Sequence, residues 1–167
     1  MTVTEYLDYP VRIYPIGRLD KESQGLLLLT NEGSLVNRIM KAGNYHEKEY
    51  LVTVDQPFNS AFLKKMREGV ELKELGVTTR PCRVESVGPK TFRIVLTQGL
   101  NRQIRRMCEE LGYHVVTLKR VRIMNILLGK LNTGDYRRAT PKEMEELERA
   151  LEQARELREG QDEETTE

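Results

Sequence analysis

Two cysteines and two histidines are all that this chain of 167 residues offers for thiol or metal chemistry. Cys82 and Cys108 are too few and too far apart for a disulfide framework or a CxxC metal motif, and His46 and His114 add no ligand spacing. No metal site is expected. Cys108 instead fits the apolar stripe of a helix. Nowhere does an apolar run reach the roughly twenty residues of a membrane-spanning helix, and the opening "MTVTEYLDYP" has neither the basic nor the apolar region of a secretory signal. A soluble, cytoplasmic protein with no membrane association is expected. There is no glycine-rich dinucleotide loop and no internal repeat.

What is present suffices for one compact domain, with 38% apolar residues to build a core. The net charge of +1 conceals a division. Residues 141–167 hold 4 of the 27 basic and 11 of the 26 acidic residues, leaving 23 basic against 15 acidic in residues 1–140. A body of +8 therefore carries a tail of −7, and a basic body favours a polyanionic partner such as nucleic acid.

Periodicity divides the chain into short elements. "GLLLLT" (Gly25 to Thr30) is continuously apolar and closed by "NEG", which predicts a strand buried on both faces. Ser34 is the expected cap of a helix with Leu35, Val36, Ile39 and Met40 on one stripe and Gly43 at its end. "KEYLVTVDQP" alternates and predicts a strand holding Tyr50. A second helix is expected from Asn59 or Ser60 to Gly69, and a hairpin around "GPK" between two runs spanning Val77 to Thr97. In "NRQIRRMCEELG", Ile104, Met107, Cys108 and Leu111 recur at helical spacing. A strand in "YHVVTLKRVRI" and a charged helix from Pro141, docking through Met144, Leu147, Ala150, Leu151 and Ala154, complete an α+β plan. Residues 1–158 are assigned to the domain and 159–167 to an acidic tail that frays or is disordered.

Two places carry chemistry. In "GRLD", Arg18 and Asp20 lie two apart and share a face if the segment is extended. An exposed pair of that kind contributes only about 0 to 1 kcal/mol. A functional Asp20 needs a water-poor site and a close arginine that keeps it ionised, and either Arg18 or Arg105 can serve. On the "NRQIRR" helix, about 100° per residue places Arg105 at the edge of the buried stripe and turns Arg102 and Arg106 outward. Arg102, Arg105, Arg106, Lys119, Arg120 and Arg122 outnumber Glu109 and Glu110, a composition suited to phosphate oxygens.

In that order, "GRLDKESQGLLLLTNEG", "KEYLVTV", "GLNRQIRRMCEELGY" and "RIMNILLG" resemble the RNA pseudouridine synthases of the RsuA type, in particular the RluF-like branch acting on large-subunit ribosomal RNA. The resemblance implies the catalytic fold of that family, a mixed, mainly antiparallel bent sheet with flanking helices. It implies that Asp20 is the catalytic carboxylate, that Tyr50 stacks on the target uracil and assists proton removal, and that Arg105 pairs with the carboxylate. The implied reaction converts uridine to pseudouridine on a flipped-out nucleotide and needs no cofactor, since nothing is oxidised or added. Arg18, Lys48, Asn101, Arg102, Gln103, Arg106, Arg122 and Asn125 are the candidate RNA contacts, the partner is ribosomal RNA, and a monomer is expected. The small S4-type RNA-binding domain and the "NKP.G"-like strand that usually precede GRLD in the family are not in this sequence. Two rivals remain: a non-catalytic RNA-binding module on the same scaffold, and a hydrolase pairing Asp20 with Glu22 or Asp55.

Overall fold

The computed structural model describes residues 2–41 and 45–165, and its frame is an antiparallel ladder built on the "KEYLVTV" segment. That segment is β4 in a chain order of α1 (Val3–Leu7), β1 (Tyr14–Pro15), β2 (Gln24–Gly25), β3 (Leu29–Thr30), α2 (Gly33–Met40), β4 (Lys48–Val54), α3 (Ser60–Glu68), β5 (Glu71–Leu72), β6 (Val77–Thr78), β7 (Arg83–Ser86), β8 (Thr91–Leu96), α4 (Gln103–Glu110), β9 (Val115–Ile123), β10 (Ile126–Leu127) and α5 (Pro141–Thr165). The main sheet runs β10-β9-β4-β8-β7, with β2 added in parallel to β9. Helices beside a mainly antiparallel sheet make the fold α+β.

Alternation along β4 produces this arrangement. Val52 and Val54 point into a core with Phe92, Ile94 and Leu96 of β8 and Leu118 of β9. Two helices close that face. From α3, capped by the Asn59 side chain accepting from the Phe62 amide at 2.9 Å, come Phe62 and Met66. From α4 come Ile104, Met107 and Cys108. Burial pushes the Cys108 thiol up to about 12, so it is an inert core group. A second core unites Leu35 and Ile39 of α2, Leu147 and Leu151 of α5, and Ile16, Leu26, Ile123 and Ile126.

Some expectations are corrected. "GLLLLT" is not one doubly buried strand: its start pairs with β9, its end pairs with β1, and of its leucines Leu26 is buried while Leu27, Leu28 and Leu29 are half-buried. A run of four leucines looks the same whether it crosses one sheet or bridges two. The N-cap of α2 is Glu32, not Ser34, which lies inside the first turn, and Met40 is exposed; Gly43, its expected end, lies outside the described residues. Helical backbone in α5 continues past Gly160 to Thr165, into the segment assigned to a frayed tail. Among the described residues no helix is long and apolar enough to cross a membrane.

The start of α5 is a capping box that the sequence reading missed. Glu143 N–H donates to Thr140 Oγ1 at 3.1 Å, and Thr140 N–H donates to Glu143 Oε1 at 2.8 Å. Arg137 completes it with two bonds to the same carboxylate, at 2.7 and 2.8 Å. The Arg137 hydrogen bond, then the Thr140 amide, hold the Glu143 carboxyl at about 2 instead of 4.5. A depressed carboxyl stabilises the fold above its unfolded pKa, and that contribution fades as pH falls from 4.5 toward 2. Glu143→Gln is expected to cost about 1 kcal/mol at pH 7, given the solvent screening of exposed Arg137, and much less at pH 2. Urea titrations at the two pH values measure the difference.

Candidate active site

Asp20 sits in a tight turn just ahead of β2. Ser23 N–H donates to the Asp20 carbonyl at 2.9 Å, and the chain then joins β9 with Gln24 opposite Lys119 and Gly25 opposite Arg120. This short pairing joins the end of the turn to the sheet. Asp20 is half-buried, and its carboxylate has no hydrogen-bond partner among the described residues. Arg18 is exposed on the way into the turn, also without a partner there.

Helix α4 delivers Arg105 to the same turn. Helical spacing put this residue at the edge of the apolar stripe, whereas it is buried, with 7% of its surface exposed. Its Nη2 donates to the Glu22 carbonyl at 3.1 Å and to Ser23 Oγ at 3.4 Å, and its Nη1 lies 3.8 Å from the Glu22 carboxylate. Nε is buried without a partner. The guanidinium thus binds the turn that carries Asp20, through the residues two and three positions beyond it and not through the Asp20 carboxylate. Arg102, in the left-handed region at φ 50, starts the helix and reaches the Glu22 carboxylate at 3.5 Å. A non-glycine residue in that region costs about 1 kcal/mol or more, offset here by the loop that Gln103 staples. Buried Gln103 accepts from the Leu100 amide at 3.2 Å and donates to Gln98 Oε1 at 3.3 Å.

Tyr50 stands in mid-β4 between Ile94 of β8 and Arg120 of β9 and packs against the core beneath α4. Residues directly opposite across a ladder share a face, so Arg120 is on the Tyr50 side, as is Lys48 two residues along β4. Burial, and then the nearby Arg120 charge, hold the Lys48 ammonium below the usual lysine value. A bulge at Val121 separates Arg120 from Arg122: Tyr50 opposes Arg120, but the preceding Glu49 opposes Arg122. Regular alternation would have put both arginines on one face.

Arg122 consequently lies on the other side of the sheet, 3.3 Å from both Glu47 and Glu49 and donating to the Met124 carbonyl at 2.7 Å. Asn125 donates to the Glu143 carbonyl at 3.0 Å and belongs to the seat of α5. The structure does not bring these two together with Asp20, Tyr50 and Arg105. Arg106 is tied to Glu74 and to the carbonyl and side chain of Asn101. The residues that sequence reasoning missed are Ser23 and Arg120. Ser23 gave no signal, and Arg120 counted only as one basic residue of several, because a buried arginine in a strand looks like an exposed one until its register is known.

Comparison with known proteins finds relatives of the chain. A family profile described as RNA pseudouridylate synthase matches residues 4–110. The chain is 51% identical to the dual-specificity RNA pseudouridine synthase RluF of Escherichia coli (strain K12) over 150 residues, which are 90% of this chain and 51% of that protein. It is 38% identical to the ribosomal large subunit pseudouridine synthase B of Bacillus subtilis (strain 168), over 89% of this chain and 63% of the relative. A crystal structure of a pseudouridylate synthase superimposes with a TM-score of 0.83 at 33% identity, covering 87% of this chain and 65% of that one. The chain thus spans about half the length of the RluF protein it matches.

Proposed function

Since the chain belongs to the RNA pseudouridylate synthase family, we propose that it isomerises a specific uridine of ribosomal RNA, in the large subunit, to pseudouridine, with Asp20 as the reacting carboxylate. The N-glycosidic bond breaks, the uracil turns within the site, a carbon–carbon bond forms to the same sugar carbon, and the proton lost from that base carbon is balanced by one taken up at the freed ring nitrogen. Three routes suit Asp20: attack on the anomeric carbon, attack on C6 of the base, or removal of the 2′ proton to give a glycal.

The observation that carries this reading is a series of contacts that links the three motifs. Buried Arg105 binds the turn that presents Asp20, and the strand leaving that turn lies against Arg120, opposite Tyr50. A uridine in folded RNA reaches such a site only when extruded, at a cost of a few kcal/mol, and stacking on Tyr50 returns about 1 to 3 kcal/mol. Arg18, Lys48, Arg102 and Arg106 are the basic side chains on hand for the flanking phosphates, which give affinity and little sequence choice. Ribosomal RNA transcripts incubated with the protein should show carbodiimide-dependent reverse-transcription stops at one or a few uridines; transcripts without new stops contradict the proposal. Arg105→Leu is expected to lower turnover by about 100-fold while RNA affinity stays within about threefold, because the lost bonds orient the turn and touch no phosphate. A loss confined to affinity, read in single-turnover kinetics alongside filter binding, would make Arg105 a backbone contact instead.

A further inference from the structure

Arg120 is among the most deeply buried charges of the molecule, 4% exposed, and it makes no ion pair among the described residues. Such a charge is costly in a protein interior unless hydrogen bonds compensate it. What compensates Arg120 shows what it does. Arg120 grips Leu26 twice: its carbonyl accepts from the Leu26 amide at 2.8 Å, and its Nε donates back to the Leu26 carbonyl at 2.8 Å. Between these bonds the chain lies so close that a Cβ on Gly25 would stand 2.2 Å from the Arg120 carbonyl oxygen. On the other flank of β9, Arg120 opposes Tyr50, and its Nη2 is buried without a partner. Lys48, on the same face, feels its charge.

From these contacts we infer that Arg120 is a positioning residue: its side chain holds the segment carrying Asp20 in fixed register with the strand carrying Tyr50. The inference rests on the synthase reading for its consequence but not for its geometry. β2 contributes only two residues to the sheet, and Arg105 grips the turn ahead of it at Glu22 and Ser23, so what fixes the far end of the segment, at Leu26, is the double contact with Arg120. The Nε bond is made to a main-chain carbonyl, so it depends on where the strand lies and not on which side chains it bears. A turn that slides by an ångström against Tyr50 loses the alignment on which turnover depends, while the RNA surface is untouched.

Arg120→Met tests this in two independent ways. Hydrogen exchange read by mass spectrometry should show residues 19–26 exchanging at least about tenfold faster than in the parent, with α3 and β7 unchanged and the melting temperature within a few degrees. That measurement needs no substrate. An unchanged exchange rate in residues 19–26 overturns the inference, and so does global unfolding of the Met variant, since it would assign Arg120 to stability. Pseudouridine formation in the same variant should fall about 100-fold in kcat with KM for RNA within about threefold. Val70→Ala, a core cavity between α3 and β5 and outside the sheet rows of Tyr50 and Arg120, should keep kcat whatever melting temperature it loses. Parent-like kcat in Arg120→Met, or a loss carried by KM, also overturns it. Absence of product from the parent chain would refute the synthase reading and leave the exchange result to decide the positioning role.

Discussion

Asp20→Asn is expected to cut pseudouridine formation by a factor on the order of 10⁴ or more while RNA affinity and melting temperature stay near those of the parent. The change is nearly isosteric, and the Asp20 carboxylate holds no hydrogen bond among the described residues. The turn is closed by main-chain atoms, with the Asp20 carbonyl accepting from Ser23, and by Arg105 binding at Glu22 and Ser23. Nothing in the scaffold depends on the charge. Only chemistry does, because an amide is neither a nucleophile nor a base at neutral pH. The variant also separates the rival readings: a module that only binds RNA keeps its whole function with Asn at this position. Intact carbodiimide stops with Asp20→Asn would remove the carboxylate from the mechanism.

Gly25→Ala should be the most damaging methyl added to a glycine among the described residues, with an expected loss above about 4 kcal/mol out of the roughly 5 to 15 that a domain of this kind possesses. Two effects combine. The residue sits at φ +115, a region that side chains rarely enter, and the new Cβ would fall 2.2 Å from the Arg120 carbonyl oxygen and 2.5 Å from its nitrogen. Backbone cannot yield as a side-chain tip would, so β2 must leave β9. Both Leu26 bonds then break, and the Asp20 turn is freed from the sheet. Gly33→Ala is the matched control: nothing lies within 4 Å of its added methyl, and a helical position gains about 0.4 to 1 kcal/mol from alanine. Urea denaturation of the pair measures the contrast. Comparable stabilities would mean that the close contact between β2 and β9 is not part of the folded protein in solution.

Much of the architecture was visible in local pattern. The alternation in "KEYLVTV", the stripe of Ile104, Met107 and Cys108, the Asn59 cap and the "GPK" hairpin all reappear as elements, because each is dictated by neighbours within a few residues. The leucine run misled for the complementary reason: its two halves pair with different strands far away in sequence, and no local signal marks where one pairing gives way to the other. Among the candidate contacts, Arg122 and Asn125 shared a basic stretch with Arg120, yet the Val121 bulge and the seat of α5 direct them elsewhere.

The order of residues was enough to settle an α+β domain with a basic body and an acidic closing helix, since composition and short-range periodicity are properties of the chain itself. It also marked Asp20, Tyr50 and Arg105 as belonging together, through motifs that resemble a known family. Which atoms Arg105 grips, which face Arg122 occupies and that Arg120 ties two motifs together were decided only on folding. Those outcomes depend on strand register and on contacts across 70 to 94 positions of sequence, where a one-residue bulge exchanges the faces of a sheet.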